Sequence, residues 1–302
     1  MAVKTIRGKT NRKKGNNRMS LILDHVSHIY NAGTTFEKKA LDDVSLVIPD
    51  GEFIGLIGHT GSGKSTLIQH LNGLLKATSG AIYFNGQNIY DNDFKMKDLR
   101  REVGLVFQYP EYQLFEVSVS RDVLFGPNNL GMKTLDAEMA AYGALKSVGI
   151  DESLLDVSPL DLSGGQKRRV AIAGVLAMKP KVLILDEPAA GLDPLGRREI
   201  LDLIAGIRRE QNITVILVSH SMEDVAQYVE RIIVMNKGRV AMDDTPEEIF
   251  SRDAELQAMG LDIPEITRLF LRMCREGIDV PKNIFTVEQA YEVLMKRMAV
   301  QK

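Results

Sequence analysis

The sequence predicts an α/β protein in which a mostly parallel sheet is covered by helices on both faces. Three observations carry that prediction. Short apolar runs recur at Phe53 to Ile57, Val103 to Phe107, Val182 to Leu185, Thr214 to Val218 and Ile232 to Met235; runs of that length suit strands buried on both faces. The stretches between them have helical spacing, and alternation of the two is the pattern of a parallel sheet. The first of these runs leads straight into a glycine-rich turn and then a helix, a junction suited to holding phosphate.

Along the chain, residues 1–18 carry Lys4, Arg7, Lys9, Arg12, Lys13, Lys14 and Arg18 with neither an acid nor any periodicity. They are predicted to form a disordered basic tail. Leu21 to Ile29 and Ala40 to Ile48 read as strands, the second closed by the turn Pro49-Asp50-Gly51. Leu67, Ile68, Leu71, Leu74 and Leu75 have helical spacing and predict a helix over Ser65 to Leu75. Ala81 to Phe84 followed by Asn85-Gly86 predicts a strand and a hairpin turn. From Tyr109 the character becomes amphipathic and helical, which sets an insert at about 109–168 within a domain spanning 19–244. Thr245-Pro246-Glu247-Glu248 is a helix start: a cap, a proline at the first position and a glutamate placed to return the cap. Thr286 and Gln289 repeat the device, so 245–302 is predicted to be a small helical domain.

Composition excludes several classes of function. With 38 basic and 40 acidic residues the net charge is −2, so no nucleic-acid partner held by broad electrostatic attraction is expected. Cys274 is the only cysteine, which rules out an internal disulfide or a thiolate metal cluster. The longest clean apolar run, Val170 to Met178, is closed by Lys179-Pro180. A membrane-spanning helix needs ~20 residues, so membrane work is expected of other chains, and the start of the sequence lacks the apolar stretch of a secretory signal.

The chemistry lies in three motifs. Gly58-His59-Thr60-Gly61-Ser62-Gly63-Lys64-Ser65 matches the phosphate-binding loop in full, with Thr66 beside it among the expected nucleotide contacts. Its glycines let backbone N–H groups turn inward to phosphate, Lys64 brings a charge to the terminal phosphates, and the Ser65 hydroxyl suits Mg²⁺. An apolar strand then delivers Asp186 to hold the metal through water, and Glu187 beside it to take a proton from an attacking water. The pair means little alone and much beside a phosphate loop. Third, Leu162-Ser163-Gly164-Gly165-Gln166 places a capping serine and two glycines at a helix start, a second anion cradle.

That last motif, in company with the first two, resembles the ABC transporter ATPases. The resemblance covers about residues 20–244 and implies an ABC-type P-loop NTPase core with an antiparallel β subdomain and a helical insert. It implies ATP and Mg²⁺ as cofactors, a signature (Ser163, Gly164, Gly165, Gln166) that faces the nucleotide of an opposite subunit, and Gln108 in contact with metal and attacking water. It further implies His220 as the γ-phosphate sensor, Gly191-Leu192-Asp193 as a loop crossing the dimer interface, and Tyr30 stacked on adenine, with Phe36 an alternative for that role. Glu187, His220 and Gln108 are thus the expected catalytic residues, and Ser65, Gln108 and Asp186 the expected metal site.

Over 19–302, Gly-His-Thr-Gly-Ser-Gly-Lys, the segment Phe107 to Glu116 and the helical tail are similar to the energy-coupling factor transporter ATPases, in particular the second of their two paralogues. That likeness implies a peripheral protein on the cytoplasmic face of the membrane that powers uptake of vitamins or other micronutrients. Its implied partners are a paralogous ATPase subunit, paired through 245–302, a transmembrane scaffold subunit and a substrate-binding membrane subunit. Importer ATPases for metal ions or amino acids share the motifs and are the alternative.

Overall fold

The structure, a computed structural model, describes residues 19–300; the tail predicted at 1–18 lies outside them. Its strands are β1 (Met19–Tyr30), β2 (Lys38–Pro49), β3 (Phe53–Ile57), β4 (Ser79–Phe84), β5 (Gln87–Asn88), β6 (Val103–Val106), β7 (Val182–Asp186), β8 (Thr214–Val218), β9 (Arg231–Asn236) and β10 (Arg239–Asp244). Six of them form one sheet in the order β10-β9-β3-β8-β7-β6. All neighbours in it run parallel except the β9–β10 hairpin. β3 and β8 are buried at every position, as a central strand covered on both faces must be. A separate antiparallel sheet has the order β2-β1-β4-β5.

The helices are α1 (Lys64–Leu71), α2 (Met96–Glu102), α3 (Val119–Asn129), α4 (Thr134–Ser147), α5 (Gly164–Leu176), α6 (Pro194–Gln211), α7 (Met222–Tyr228), α8 (Pro246–Ser251), α9 (Asp253–Ala258), α10 (Glu265–Arg275) and α11 (Val287–Val300). Between β6 and β7 the chain is helical, with a 3₁₀ turn at Pro110–Gln113 leading into α3, α4 and α5. One face of the large sheet packs on those helices and on α6 and α7. The other packs on α1, α2 and the antiparallel sheet.

Four local expectations are corrected. The helix after the phosphate loop stops at Leu71 rather than Leu75, because Asn72 caps it and turns its side-chain amide to the Val103 carbonyl, with Gly73 following at φ 69°. The strand read as Val103 to Phe107 ends at Val106. β10 is a strand that the apolar runs do not announce, whereas the hairpin turn expected at Asn85-Gly86 forms and leads into β5. The cap predicted at Thr245 forms in one direction only: its hydroxyl accepts from the Glu248 N–H at 3.4 Å, but its own N–H donates to Asp244 Oδ1 at 2.8 Å. At Thr286 both directions are made, with Gln289 Oε1 accepting at 3.2 Å and the Thr286 hydroxyl accepting at 3.2 Å.

The C-terminal helices divide. Ile249, Phe250, Leu256, Leu261 and Ile263 are buried in the main core, whereas Phe270, Val280, Ile284 and Ala290 make a small core of their own. Leu269, Val287, Tyr291, Met295 and Met298 are left exposed.

Candidate active site

The glycine-rich loop from Gly58 to Gly63 bridges β3 and α1, and neighbouring backbone fixes its shape. Gly63 sits at φ 106°, and a Cβ there would lie 2.6 Å from the Ala40 carbonyl oxygen of β2. Any side chain would therefore drive the loop off that sheet. On another side, the Gly238 N–H in the β9–β10 turn donates to the Ser62 carbonyl at 2.9 Å. The same turn accepts from the Asp42 N–H through the Gly238 carbonyl, also at 2.9 Å. His59 contacts the end of β9, with Nε2 3.3 Å from Asn236 Oδ1.

Lys64 folds over this loop and donates to the carbonyls of Gly58 at 2.5 Å and His59 at 3.2 Å. The side chain is buried, and burial pushes its ammonium below the ordinary lysine value while Glu187 and Asp186 pull it back up. A cation surrounded by carbonyl oxygens suits phosphate, which offers it full negative charge. Ser62 Oγ is buried with no hydrogen-bond partner, a second donor the fold leaves to a ligand. Gly61, Thr60 and Ser65 are exposed at the mouth. The buried Thr66 puts its hydroxyl 3.3 Å from that of Tyr30, whose ring takes the edge of His28 at 4.5 Å between centroids. Of the two aromatics considered for adenine, Tyr30 contacts α1, and Phe36 stands 79% exposed in the turn before β2.

The other half of the site comes from three neighbouring strands. Gln108 follows β6, Asp186 closes β7 with Glu187 next, and His220 follows β8. Their carboxyl ends open on the same edge, where α/β sheets collect ligands. Gln108 Nε2 donates to Glu187 Oε2 at 3.2 Å, and His220 Nε2 lies 2.8 Å from Glu187 Oε1. Glu187 is thus gripped on both oxygens, each keeping a lone pair free. Burial and the charge of Glu187 hold the Asp186 carboxyl above the usual range, against Lys64 and His220. Added positive charge would relieve that, so a divalent cation fits. Among the described residues no cluster of three or more His, Cys, Asp or Glu is arranged to hold a metal ion. A Mg²⁺ here would depend on the nucleotide's phosphates for much of its shell, as is usual for that ion.

The signature is not brought to this loop. Ser163 caps α5, and its N–H and hydroxyl bond with Gln166 Oε1 and N–H at 2.9 and 3.3 Å. Ser163, Gly164 and Gly165 face solvent. Asp193, expected at an interface, caps α6 by accepting from the Gly196 N–H at 2.7 Å.

Two residues passed over in the sequence meet beside the site, Glu111 and Arg168. The readable signal was Arg168 on the stripe with Ile172 and Leu176, a charge in line with core positions.

The pattern of the ABC transporter family matches residues 41–190. The energy-coupling factor transporter ATP-binding protein EcfA2 of Clostridioides difficile is 52% identical over 280 residues, spanning 92% of this chain and 97% of that protein. The chain belongs to this family of ABC ATPases. The protein of the same name from Caldanaerobacter subterraneus is 51% identical over 278 residues, with 92% and 97% covered. Among solved structures, cbiO1 of Clostridium perfringens, part of the ABC transporter complex cbiONQ, superposes with a TM-score of 0.71 at 40% identity, covering 84% of this chain and 99% of that one. The ATP-binding cassette MJ0796, dimeric and bound to ADP and Pi after hydrolysis, gives 0.65 at 30% identity over 75% of this chain and 98% of its own. As a family member the chain is an ATP-hydrolysing transporter subunit, and no helix among its described residues is long and apolar enough to cross a membrane.

Proposed function

We propose that this ATPase works as one half of a pair with a paralogous ATPase on the cytoplasmic face of the membrane. It would drive a transmembrane scaffold and a substrate-binding membrane subunit in the uptake of vitamins or other micronutrients. The relatives' names favour this over a metal-ion or amino-acid importer. The loop from Gly58 to Ser65 with Thr66 binds the phosphates of ATP, Lys64 leaves the carbonyls of Gly58 and His59 for the terminal phosphates, and Tyr30 supports the adenine. Ser65, Asp186 and Gln108 would hold Mg²⁺, which neutralises phosphate charge when bound. Glu187 takes the proton of the attacking water, and Gln108 and His220 orient it. Ser163 to Gln166 serve the nucleotide of the other subunit.

The observation that carries this reading is Glu187, held between Gln108 and His220 at one end of the sheet beside Lys64. Glu187→Gln keeps the shape of the side chain and removes the base. ATP binding by titration should persist, while turnover drops by at least about 10², the lower end of what a general base contributes. Full turnover in that variant would remove Glu187 from the mechanism.

A further inference from the structure

Arg168 is a cation only 3% exposed, and its guanidinium is spent in three directions. Nε and Nη2 donate to Glu111 Oε2 and Oε1 at 3.1 and 2.7 Å, a two-pronged grip. Nη1 donates to the carbonyls of Pro188 at 3.1 Å and Ala190 at 2.8 Å. A buried charge is tolerated only when it is paired this fully, and the flat guanidinium is the cation that can do so.

The partners lie on separate segments. Glu111 is in the turn just beyond Gln108, Pro188 and Ala190 follow Glu187, and Arg168 itself stands on α5 behind the signature. Both functional segments carry backbone strain at the point of attachment. Tyr109, next to Gln108, has φ 54°, and Glu187 has φ 51°, a left-handed conformation that L side chains rarely adopt. Such conformations persist only where the surroundings over-determine them. Arg168 restrains both, one through Glu111 and the other through two carbonyls.

We propose that Arg168 and Glu111 are positioning residues that set Gln108 against Glu187 and tie that pair to the helix bearing the signature. Rotation of α5, when a partner subunit closes on the signature, then reaches the attacking water through the guanidinium. The pair acts on the hydrolytic step and not on nucleotide affinity. This rests on the reading of Glu187 as the general base.

The test uses the full chain in complex with its co-purified ATPase and membrane partners. Glu111→Gln keeps size and one acceptor but loses charge. Arg168→Lys keeps charge but cannot reach carboxylate and carbonyls together. Each should lower kcat about tenfold or more and leave ATP affinity within about twofold, since a displacement near 1 Å can cost ~10² in rate. Combined with Gln108→Ala, Glu111→Gln should lose less than the product of the two single losses, because both act through the same contact. Unchanged kcat in both single variants, or losses that multiply fully, overturns the proposal. A purely stabilising pair would lower the melting midpoint and leave kcat per folded chain intact, which also overturns it. Glu187→Gln in the same complex sets the floor: if it keeps turnover, the general-base reading fails instead.

Discussion

Behind the phosphate loop, His70 is completely buried on α1, with Nδ1 2.7 Å from the Thr66 carbonyl and Nε2 without a partner. Burial pushes its pKa below the ordinary imidazole value of 6.5, and the neighbouring His28 adds to that, while the carbonyls of Thr66 and Lys76 oppose it. The unfolded chain therefore takes up a proton at a pH where the folded chain does not. Stability from this residue is complete above 6.5 and is lost as pH falls from there through the lower folded value. Melting temperatures should fall on acidification through that range, and His70→Phe should flatten part of the fall; equal slopes would reject the idea. On the functional side of the same helix, Lys64→Ala should weaken ATP binding about tenfold or more, since a hydrogen bond to a charged group contributes ~1.5–3 kcal/mol. Unchanged affinity by titration would contradict its role. The loop, Asp186 and Glu187 were legible because their chemistry demands adjacent residues. The burial of Arg168 left a trace in its line with Ile172 and Leu176, but what Arg168 and His70 do was not legible, because it depends on neighbours far along the chain.

At the scale of elements, apolar runs located the buried strands well and edge pieces poorly. β10 escaped notice because only Met242 in it is buried, so its burial leaves no apolar run to read. Its turn, Lys237-Gly238 with φ 48° and 78°, is a tight hairpin connection whose first residue hides the usual Asn or Asp signal. The two helix-start signals fared differently for an equally local reason: Asp244 outcompetes Glu248 for the Thr245 N–H, and nothing outcompetes Gln289 for Thr286. α11 should therefore depend on its cap. Thr286→Ala is expected to cost about 0.5–2 kcal/mol and to raise hydrogen exchange in the first turn of α11, without altering ATP binding at the distant loop. Exchange unchanged there would show the box to be dispensable.

For the whole molecule, the proposal that Ser163 to Gln166 serve the nucleotide of another subunit implies that a complete site takes two chains. The chain alone should hydrolyse ATP poorly and gain activity with a non-identical ATPase; a stable, fully active homodimer would contradict this. The exposed row of Val287, Tyr291, Met295 and Met298 on α11 is a candidate surface for choosing that partner. A deletion to test it must begin after Pro264, because Ile249, Phe250, Leu256, Leu261 and Ile263 belong to the ATPase core. Removing 265–302 should impair pairing more than ATP binding, and intact pairing would dismiss the surface. The division of the tail was invisible in the sequence, where Ile263 and Leu269 look alike; only packing separates the buried residue from the exposed one.

The hold of the β9–β10 turn on Ser62 and Asp42 bears on the speed of nucleotide capture. With its curve already set by two sheets, the loop has little left to rearrange on encounter beyond the swing of the Lys64 side chain off the carbonyls of Gly58 and His59. Stopped-flow mixing with a fluorescent ATP analogue should give one exponential whose rate rises linearly with concentration, with no slow isomerisation to limit it. Loosening the grip by Gly238→Ala, which sets a methyl group 2.8 Å from the Ala40 carbonyl, should bend that line into a plateau. Arrival, in the native chain, would be governed by diffusion.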